Sequence, residues 1–281
     1  MQSFVDRDPT DGARDFTCGS LTYDGHQGTD FRTATMAEMR RGVRILAAAP
    51  GRVRAVRDGE PDTGLEGFET GKDCGNGIVV DHADGWSTQY CHLARGSIAV
   101  RPGQTVARGA PIGRMGLSGR TEFPHLHFTL RRDGDVVDPF DGGEVSAACG
   151  GAGEDLWAEP VAVRFGGLVD HGFIGKRPTL DVVREGLPTI AFDPADDVLI
   201  FWARAFGLRS GDVIRLRLMA PDGRVMASND RAMDRARAEE FAFIGARRPS
   251  GGWAPGRYEA EVVFIRDERP AETRAETLLI D

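Results

Sequence analysis

The sequence predicts an all-β chain: an antiparallel β-sheet domain followed by an immunoglobulin-like β-sandwich. Three observations carry that prediction. Between Thr22 and Phe140 the apolar residues come in short, strand-length runs separated by Gly, Pro and Asp turn clusters. Beyond a glycine-rich stretch at 149–155 the pattern becomes a two-residue alternation, which belongs to strands with one buried face. In the first half only one short segment carries helix signals.

The elements follow in order. Residues 1–21 are polar and Asp-rich with no apolar period, and read as an N-terminal arm wrapped on the domain. Thr35-Met36-Ala37-Glu38 has capping-box spacing and Gly42 can stop a helix, so one short helix is expected there. Val53 to Val56, Ile78 to His82, Ser87 to His92 and His125 to Arg131 read as strands. Asp58 to Gly75 is rich in Gly, Asp and Glu without periodicity and reads as a long loop, suited to the wall of a groove. The first domain is thus placed at 22–148, a linker at 149–155 and the sandwich at 156–281. Val198 to Phe206, interrupted by Arg204, is a strand. In Ile214-Arg215-Leu216-Arg217-Leu218 the aliphatics share one face, Pro221-Asp222-Gly223 turns the chain, and Tyr258, Ala260, Val262 and Phe264 form a second apolar face.

Bulk properties exclude several classes. At 281 residues, 41% hydrophobic and 28% charged, the chain has globular composition and room for two cores. Its 35 Lys and Arg against 43 Asp and Glu give a net charge of −8, which argues against a nucleic-acid partner. No apolar run approaches the length of a transmembrane helix, and Met1-Gln2-Ser3-Phe4 has none of the features of a secretory signal. Cys18, Cys74, Cys91 and Cys149 are even in number, without a Cys-x-x-Cys pair, which suits an oxidising compartment. A hairpin turning near Ala83-Asp84-Gly85 runs Cys91 back toward Cys74, favouring a Cys74–Cys91 bond with Cys18–Cys149 joining the domain's ends; buried free thiols are the alternative.

Four of the six histidines fall in three short segments: His26-Gln27-Gly28-Thr29-Asp30, Tyr90-Cys91-His92-Leu93 and Pro124-His125-Leu126-His127-Phe128. Two residues apart on a strand, His125 and His127 point to one face. His26 and Asp30 lie in an extended or turning segment whose even spacing can also leave both on one side. Imidazoles with one carboxylate suit zinc, whose catalytic sites use three protein ligands and an open position. The spacing alone does not say which of the five are ligands.

These segments in this order resemble the LytM/lysostaphin-type zinc endopeptidases of bacterial peptidoglycan, over roughly Thr22 to Phe140. Intervening matches add to the resemblance: Ala47-Ala48-Ala49-Pro50-Gly51-Arg52-Val53, Gly75-Asn76-Gly77-Ile78-Val79-Val80-Asp81-His82, Pro102-Gly103-Gln104-Thr105-Val106 and Gly116-Leu117-Ser118-Gly119-Arg120. The resemblance implies that His26, Asp30 and His127 hold one Zn²⁺ per chain, while His92 and His125 act on water or the reacting amide. Such a metal lowers the pKa of its bound water to about 7, and a neighbouring general base or acid adds about 10² to 10⁴ in rate. Read singly, His92 would be a half-buried structural histidine and His-Leu-His a chance pair. His82 at its hairpin end is expected to be solvated, Tyr90 and Tyr23 to be core residues with wet hydroxyls, with donation to an oxyanion as the alternative, and His171 to be a surface or structural histidine. Direct catalysis by Ser118 or Arg120 is not expected. Phe123 and Thr129 depart from the family's usual Gly and Glu at those positions.

Competing motifs are absent: there is no His-Glu-x-x-His, no nucleophile elbow around Ser118, and no phosphate loop at Gly71-Lys72-Asp73. The expected function is zinc-dependent hydrolysis of amide bonds in peptidoglycan stem peptides or cross-bridges, by a monomer in the periplasm or cell envelope. A cell-envelope protein partner is open to the C-terminal domain. The alternatives are a noncatalytic scaffold that activates another cell-wall hydrolase and a peptidase acting on proteins.

Overall fold

The computed structural model describes residues 1–145, 149–150 and 153–281, in two compact units, Met1–Val163 and Arg164–Asp281. Both are built from antiparallel sheets with little helix, as the turn spacing and alternation predict. No helix among the described residues is long and apolar enough to cross a membrane.

The first unit contains β1 (Thr29–Arg32), α1 (Met36–Arg40), β2 (Arg44–Leu46), β3 (Gly51–Arg57), β4 (Asn76–Asp81), β5 (Trp86–Leu93), β6 (Thr105–Val106), β7 (Pro111–Arg114), β8 (His125–Arg132) and β9 (Asp135–Val137). Its main sheet runs β1-β8-β5-β4-β3-β6 with β9 beside β8, and β2 pairs β7. One face packs on Val53, Ile78, Val80, Tyr90, Ile112 and Phe128. α1 forms where expected: the Thr35 hydroxyl accepts from the Glu38 N–H, the Glu38 carboxylate accepts from the Ala34 N–H, and Gly42, at φ 90°, ends it.

The arm is ordered. Residues 2–6 lie beside β1, with the Gln2 N–H donating to the Asp30 carbonyl and the Asp30 N–H to the Ser3 carbonyl, and Phe4 and Val5 are fully buried. Arg7, deep in the domain, pairs with Asp141 at 2.5 Å. Both favoured disulfides are formed, Cys18–Cys149 and Cys74–Cys91. Asp58 to Gly75 contains no strand and is docked: Asp62 accepts from the Arg95 and Leu117 N–H groups, and the Leu65 N–H donates to the Thr121 carbonyl.

Of the expected linker, residues 151–152 lie outside the described ones. Residues 156–163, expected at the start of the sandwich, belong to the first unit. The Leu156 N–H donates to the Pro139 carbonyl, and Trp157 packs against Phe31, Phe128 and Phe140. His82 departs from expectation. Its Nδ1 donates to the Pro50 carbonyl and its Nε2 pairs with the Thr88 hydroxyl, both at 2.8 Å, so it clips the hairpin end to the 50–51 turn instead of facing water. Tyr90 is core, but its hydroxyl is bonded internally, accepting from the Ala48 N–H.

The second unit contains β10 (Gly167–Ile174), α2 (Leu180–Gly186), β11 (Ile190–Ala191), β12 (Val198–Leu208), β13 (Val213–Met219), β14 (Val225–Ala232), β15 (Arg237–Arg247), β16 (Gly256–Arg266) and β17 (Arg269–Ile280). Two four-stranded sheets, β11-β10-β12-β15 and β14-β13-β16-β17, share one core. Ile214, Leu216 and Leu218 of β13 and Tyr258, Ala260, Val262 and Phe264 of β16 meet Leu199, Phe201 and Ala203 of β12 there. The other face of β12 is covered too, since Ile200 and Trp202 pack with Val183 of α2. That double burial explains its nearly unbroken apolar run. Arg204 does not interrupt the burial: it is fully enclosed and neutralised by Asp170 and Glu239.

Candidate metal centre

The site forms where β1, β8 and the end of β5 meet. β1 and β8 are antiparallel with Asp30 opposite His127, so their side chains emerge on one face, and His125 joins them because β8 alternates. His26 precedes β1 in a turn that folds back, its N–H donating to the Tyr23 carbonyl. Gly28 is required beneath it: a Cβ there would lie 2.6 Å from the Phe128 carbonyl and 2.7 Å from the His127 ring.

His92 reaches this face against the pleat. Cys91 pairs with His127 across β5 and β8 and shares its face, so strict alternation would send His92 to the opposite side. The backbone of His92 is left-handed instead, at φ 60°, which costs a non-glycine residue about 1–2 kcal/mol. This break puts its ring 4.6 Å from that of His125 and 6.0 Å from that of His127, while Leu93 still enters the core.

The five predicted side chains therefore converge. His26 Nε2 is 3.2 Å from Asp30 Oδ1 and 3.2 Å from His127 Nδ1, and His127 Nδ1 is 3.0 Å from Asp30 Oδ1. His125 Nε2 lies 3.4 Å from the same carboxylate oxygen. Four-coordinate zinc with bonds of about 2.1 Å holds its ligand atoms about 3.4 Å apart, so the triangle of His26, Asp30 and His127 is close to one face of that tetrahedron.

The donor chemistry fits a cation as well. His26 Nδ1 donates to the Phe4 carbonyl at 2.6 Å, His92 Nδ1 to the Ser118 carbonyl at 2.8 Å, and His125 Nδ1 to the Phe123 carbonyl at 2.9 Å. With Nδ1 turned to a carbonyl, each ring presents Nε2 to the site, and these nitrogens crowd with a carboxylate. His127 pairs its outward Nε2 with the Thr129 hydroxyl at 3.1 Å, leaving Nδ1 for the site.

Electrostatics sort the groups. Burial works against the Asp30 carboxylate, yet the neighbouring imidazoles of His125, His26 and His127 hold its pKa well below the usual range. Burial, then the charge of His125, pushes His92 down to about 3; burial also lowers His125. His92 is therefore neutral at physiological pH, with Nε2 free to accept a proton.

Tyr23 is exposed and stacks on His26 at 4.3 Å, so it is no core residue. Phe123 packs on His125, and the Arg32 guanidinium sits over the Phe123 ring. A cavity of about 420 Å³ flanks His26, lined among others by Asp24, Gln27, Arg131 and Asp135. Several supports were not legible beforehand. Ser118 and Phe123 act through backbone carbonyls and Phe4 from outside the motifs, and no side-chain pattern encodes those contacts.

The fold and site define an antiparallel β domain presenting a three-donor metal group with two further histidines beside it. Residues 24–139 match the model of Peptidase family M23. It is 45% identical over 56 residues to the peptidoglycan DD-endopeptidase ShyA of Vibrio cholerae, covering 20% of this chain and 13% of that protein. Against the peptidoglycan DD-endopeptidase ShyB of the same organism it is 34% identical over 105 residues, 37% of this chain and 20% of the relative. Among solved structures, the catalytic domain of the antimicrobial peptidase lysostaphin from Staphylococcus simulans is 25% identical, with 42% of this chain and 77% of that chain covered at a TM-score of 0.32. The chain spans between a tenth and a fifth of the length of these and similar curated relatives.

Proposed function

We propose that the chain is a zinc-dependent endopeptidase that hydrolyses amide bonds in the peptide part of peptidoglycan. The observation that carries this reading is the triangle of His26, Asp30 and His127 with the Nε2 lone pairs of His92 and His125 beside it. His26, Asp30 and His127 would hold the metal. When bound, Zn²⁺ supplies Lewis acidity and acidifies water.

The chain's own residues do the rest. His92 and His125, each fixed in orientation by a carbonyl at Nδ1, present Nε2 to take a proton from water and return it to the leaving amine. Phe4 and Thr129 orient the outer nitrogens of the two metal-binding imidazoles. Tyr23 offers a phenol donor at the rim, toward the carbonyl oxygen that gains charge. The cavity beside His26 is read as part of the peptide groove.

The names of the relatives support peptidoglycan as substrate, and the two disulfides fit an extracytoplasmic compartment. A noncatalytic scaffold has no use for a complete donor set. For the second unit, strand order and the Tyr258 hydroxyl, which donates to the Ala254 carbonyl at 3.0 Å, support an immunoglobulin-like sandwich.

The test is zinc content with release of new amino groups from purified peptidoglycan. One zinc per chain and chelator-sensitive release are expected. A zinc-loaded protein that releases nothing from peptidoglycan but cleaves a protein substrate refutes the substrate class, and a metal-replete preparation without zinc refutes the site.

A further inference from the structure

We infer that the Cys74–Cys91 disulfide is a positioning element for His92, setting the direction of its imidazole through the 73–76 segment. This rests on the catalytic role proposed for His92. Cys91 immediately precedes the left-handed residue, and its sulfur is joined to Cys74. The Cys74 carbonyl in turn accepts the His92 N–H at 2.8 Å. The covalent bond and the hydrogen bond close a small ring around the one backbone unit whose dihedral turns His92 toward the site.

The same segment holds the far side of the imidazole. His92 Nδ1 donates to the Ser118 carbonyl, and Ser118 is locked to the segment that carries Cys74. The Asn76 N–H donates to the Ser118 hydroxyl at 2.9 Å, the Arg120 N–H donates to the Asp73 carbonyl at 2.9 Å, and the Ser118 hydroxyl donates to the Leu93 carbonyl at 2.7 Å. Packing is close enough that a Cβ on Gly75 would lie 2.3 Å from the Ser118 backbone. Backbone and ring of His92 are therefore both referred to residues 73–76, and the disulfide fixes that segment to the end of β5. Cys18–Cys149 has no such relation: it joins the arm to the end of the domain and touches none of the five site residues.

Without the bond, the left-handed turn has only hydrogen bonds to keep it, and the ring loses its single orientation while His26, before β1, Asp30 on β1 and His127 on β8 keep theirs. Misplacing a proton-transfer group by about 1 Å costs about 100-fold in rate. The zinc-loaded full chain is compared with the double variants Cys74→Ala/Cys91→Ala and Cys18→Ala/Cys149→Ala, reading zinc content, kcat and KM on purified peptidoglycan peptides, and the His92 tautomer from imidazole nitrogen shifts. Expected for Cys74→Ala/Cys91→Ala are full zinc content, unchanged KM, kcat lower by about 10- to 100-fold, and a His92 signal that moves from Nδ1–H alone to mixed tautomers. Cys18→Ala/Cys149→Ala is expected to melt earlier with kcat and the His92 tautomer unchanged.

A folded, zinc-loaded Cys74→Ala/Cys91→Ala variant with native kcat and native His92 tautomer overturns the inference. Should that variant not fold, the native folded protein is opened by reductant, alkylated, and the opened bond identified by mass spectrometry. Activity must then fall with opening of Cys74–Cys91 and not of Cys18–Cys149, and the reverse result overturns the inference. If the intact zinc-loaded chain has no activity on peptidoglycan, the functional reading fails by itself, and the tautomer comparison still decides the positioning role.

Discussion

Asp138→Asn is expected to gain stability relative to the native first unit as pH rises from 4 to neutral, because it removes a loss that only the carboxylate suffers. Asp138 follows β9 and is fully buried; Oδ1 accepts the Phe140 N–H at 2.9 Å, while Oδ2 has no partner among the described residues. Burial pushes its pKa from 3.8 up to about 6, with the Asp141 charge adding to the shift against the Phe140 hydrogen bond. A carboxyl whose folded pKa is raised binds its proton more tightly in the fold. Stability is therefore full below about pH 4 and falls as pH rises through about 6. At about 1.4 kcal/mol per pH unit, the move from 3.8 to about 6 amounts to about 3 kcal/mol lost by pH 7.5. Asparagine cannot ionise and keeps an oxygen for Phe140, while its amide leaves two N–H donors unpaired where the protonated carboxyl leaves one O–H; that extra cost is common to both pH values, so the variant removes only the part of the loss that depends on pH. Urea unfolding followed by circular dichroism, at pH 4 and pH 7.5 with disulfides intact, reads the difference. A gap equal at both pH values would refute the reasoning and mean that the carboxylate is compensated.

Three further outcomes are expected. His26→Ala, Asp30→Ala and His127→Ala lose zinc and activity together, whereas His92→Ala and His125→Ala keep zinc by metal analysis and lose about 10² to 10⁴ in kcat; a zinc-free His125→Ala would move that residue into the ligand set. Thr129→Val removes the partner of His127 Nε2 and weakens zinc affinity about 10-fold in competition with a chelator dye, while leaving the fold intact. Tyr258→Phe deletes the hydroxyl bonded to Ala254 and lowers the stability of the second unit by about 1 kcal/mol in denaturant titration, without effect on peptide release.

The site was legible in the sequence to the extent that its residues obey local periods. His125 and His127 are two apart on a strand, Asp30 falls opposite His127 once β1 and β8 pair, and the same alternation marked Ile214 to Leu218 and Tyr258 to Phe264 as buried faces. The hairpin at Ala83-Asp84-Gly85 likewise brought Cys91 back to Cys74. What escaped depends on distant or main-chain partners. Arg204 looked like a break in an apolar run because Asp170 and Glu239, which neutralise it, lie 34 and 35 residues away. His82 looked solvated because its acceptor is the Pro50 carbonyl, and His92 reaches the site by a dihedral that no period anticipates. Residues 156–163 were assigned across a glycine-rich stretch whose flexibility carries no record of Trp157 packing backward.

The arm changes what counts as a separable catalytic fragment. The family match begins at residue 24, but Gln2 and Ser3 pair with β1 at Asp30, and the Phe4 carbonyl holds His26. A fragment excised at the homology boundary would bare the β1 main chain as an unprotected sheet edge, open to pairing with another molecule, and would free His26 to rotate. Grafting this catalytic unit onto another protein therefore requires carrying along a segment that lies outside the matched residues 24–139.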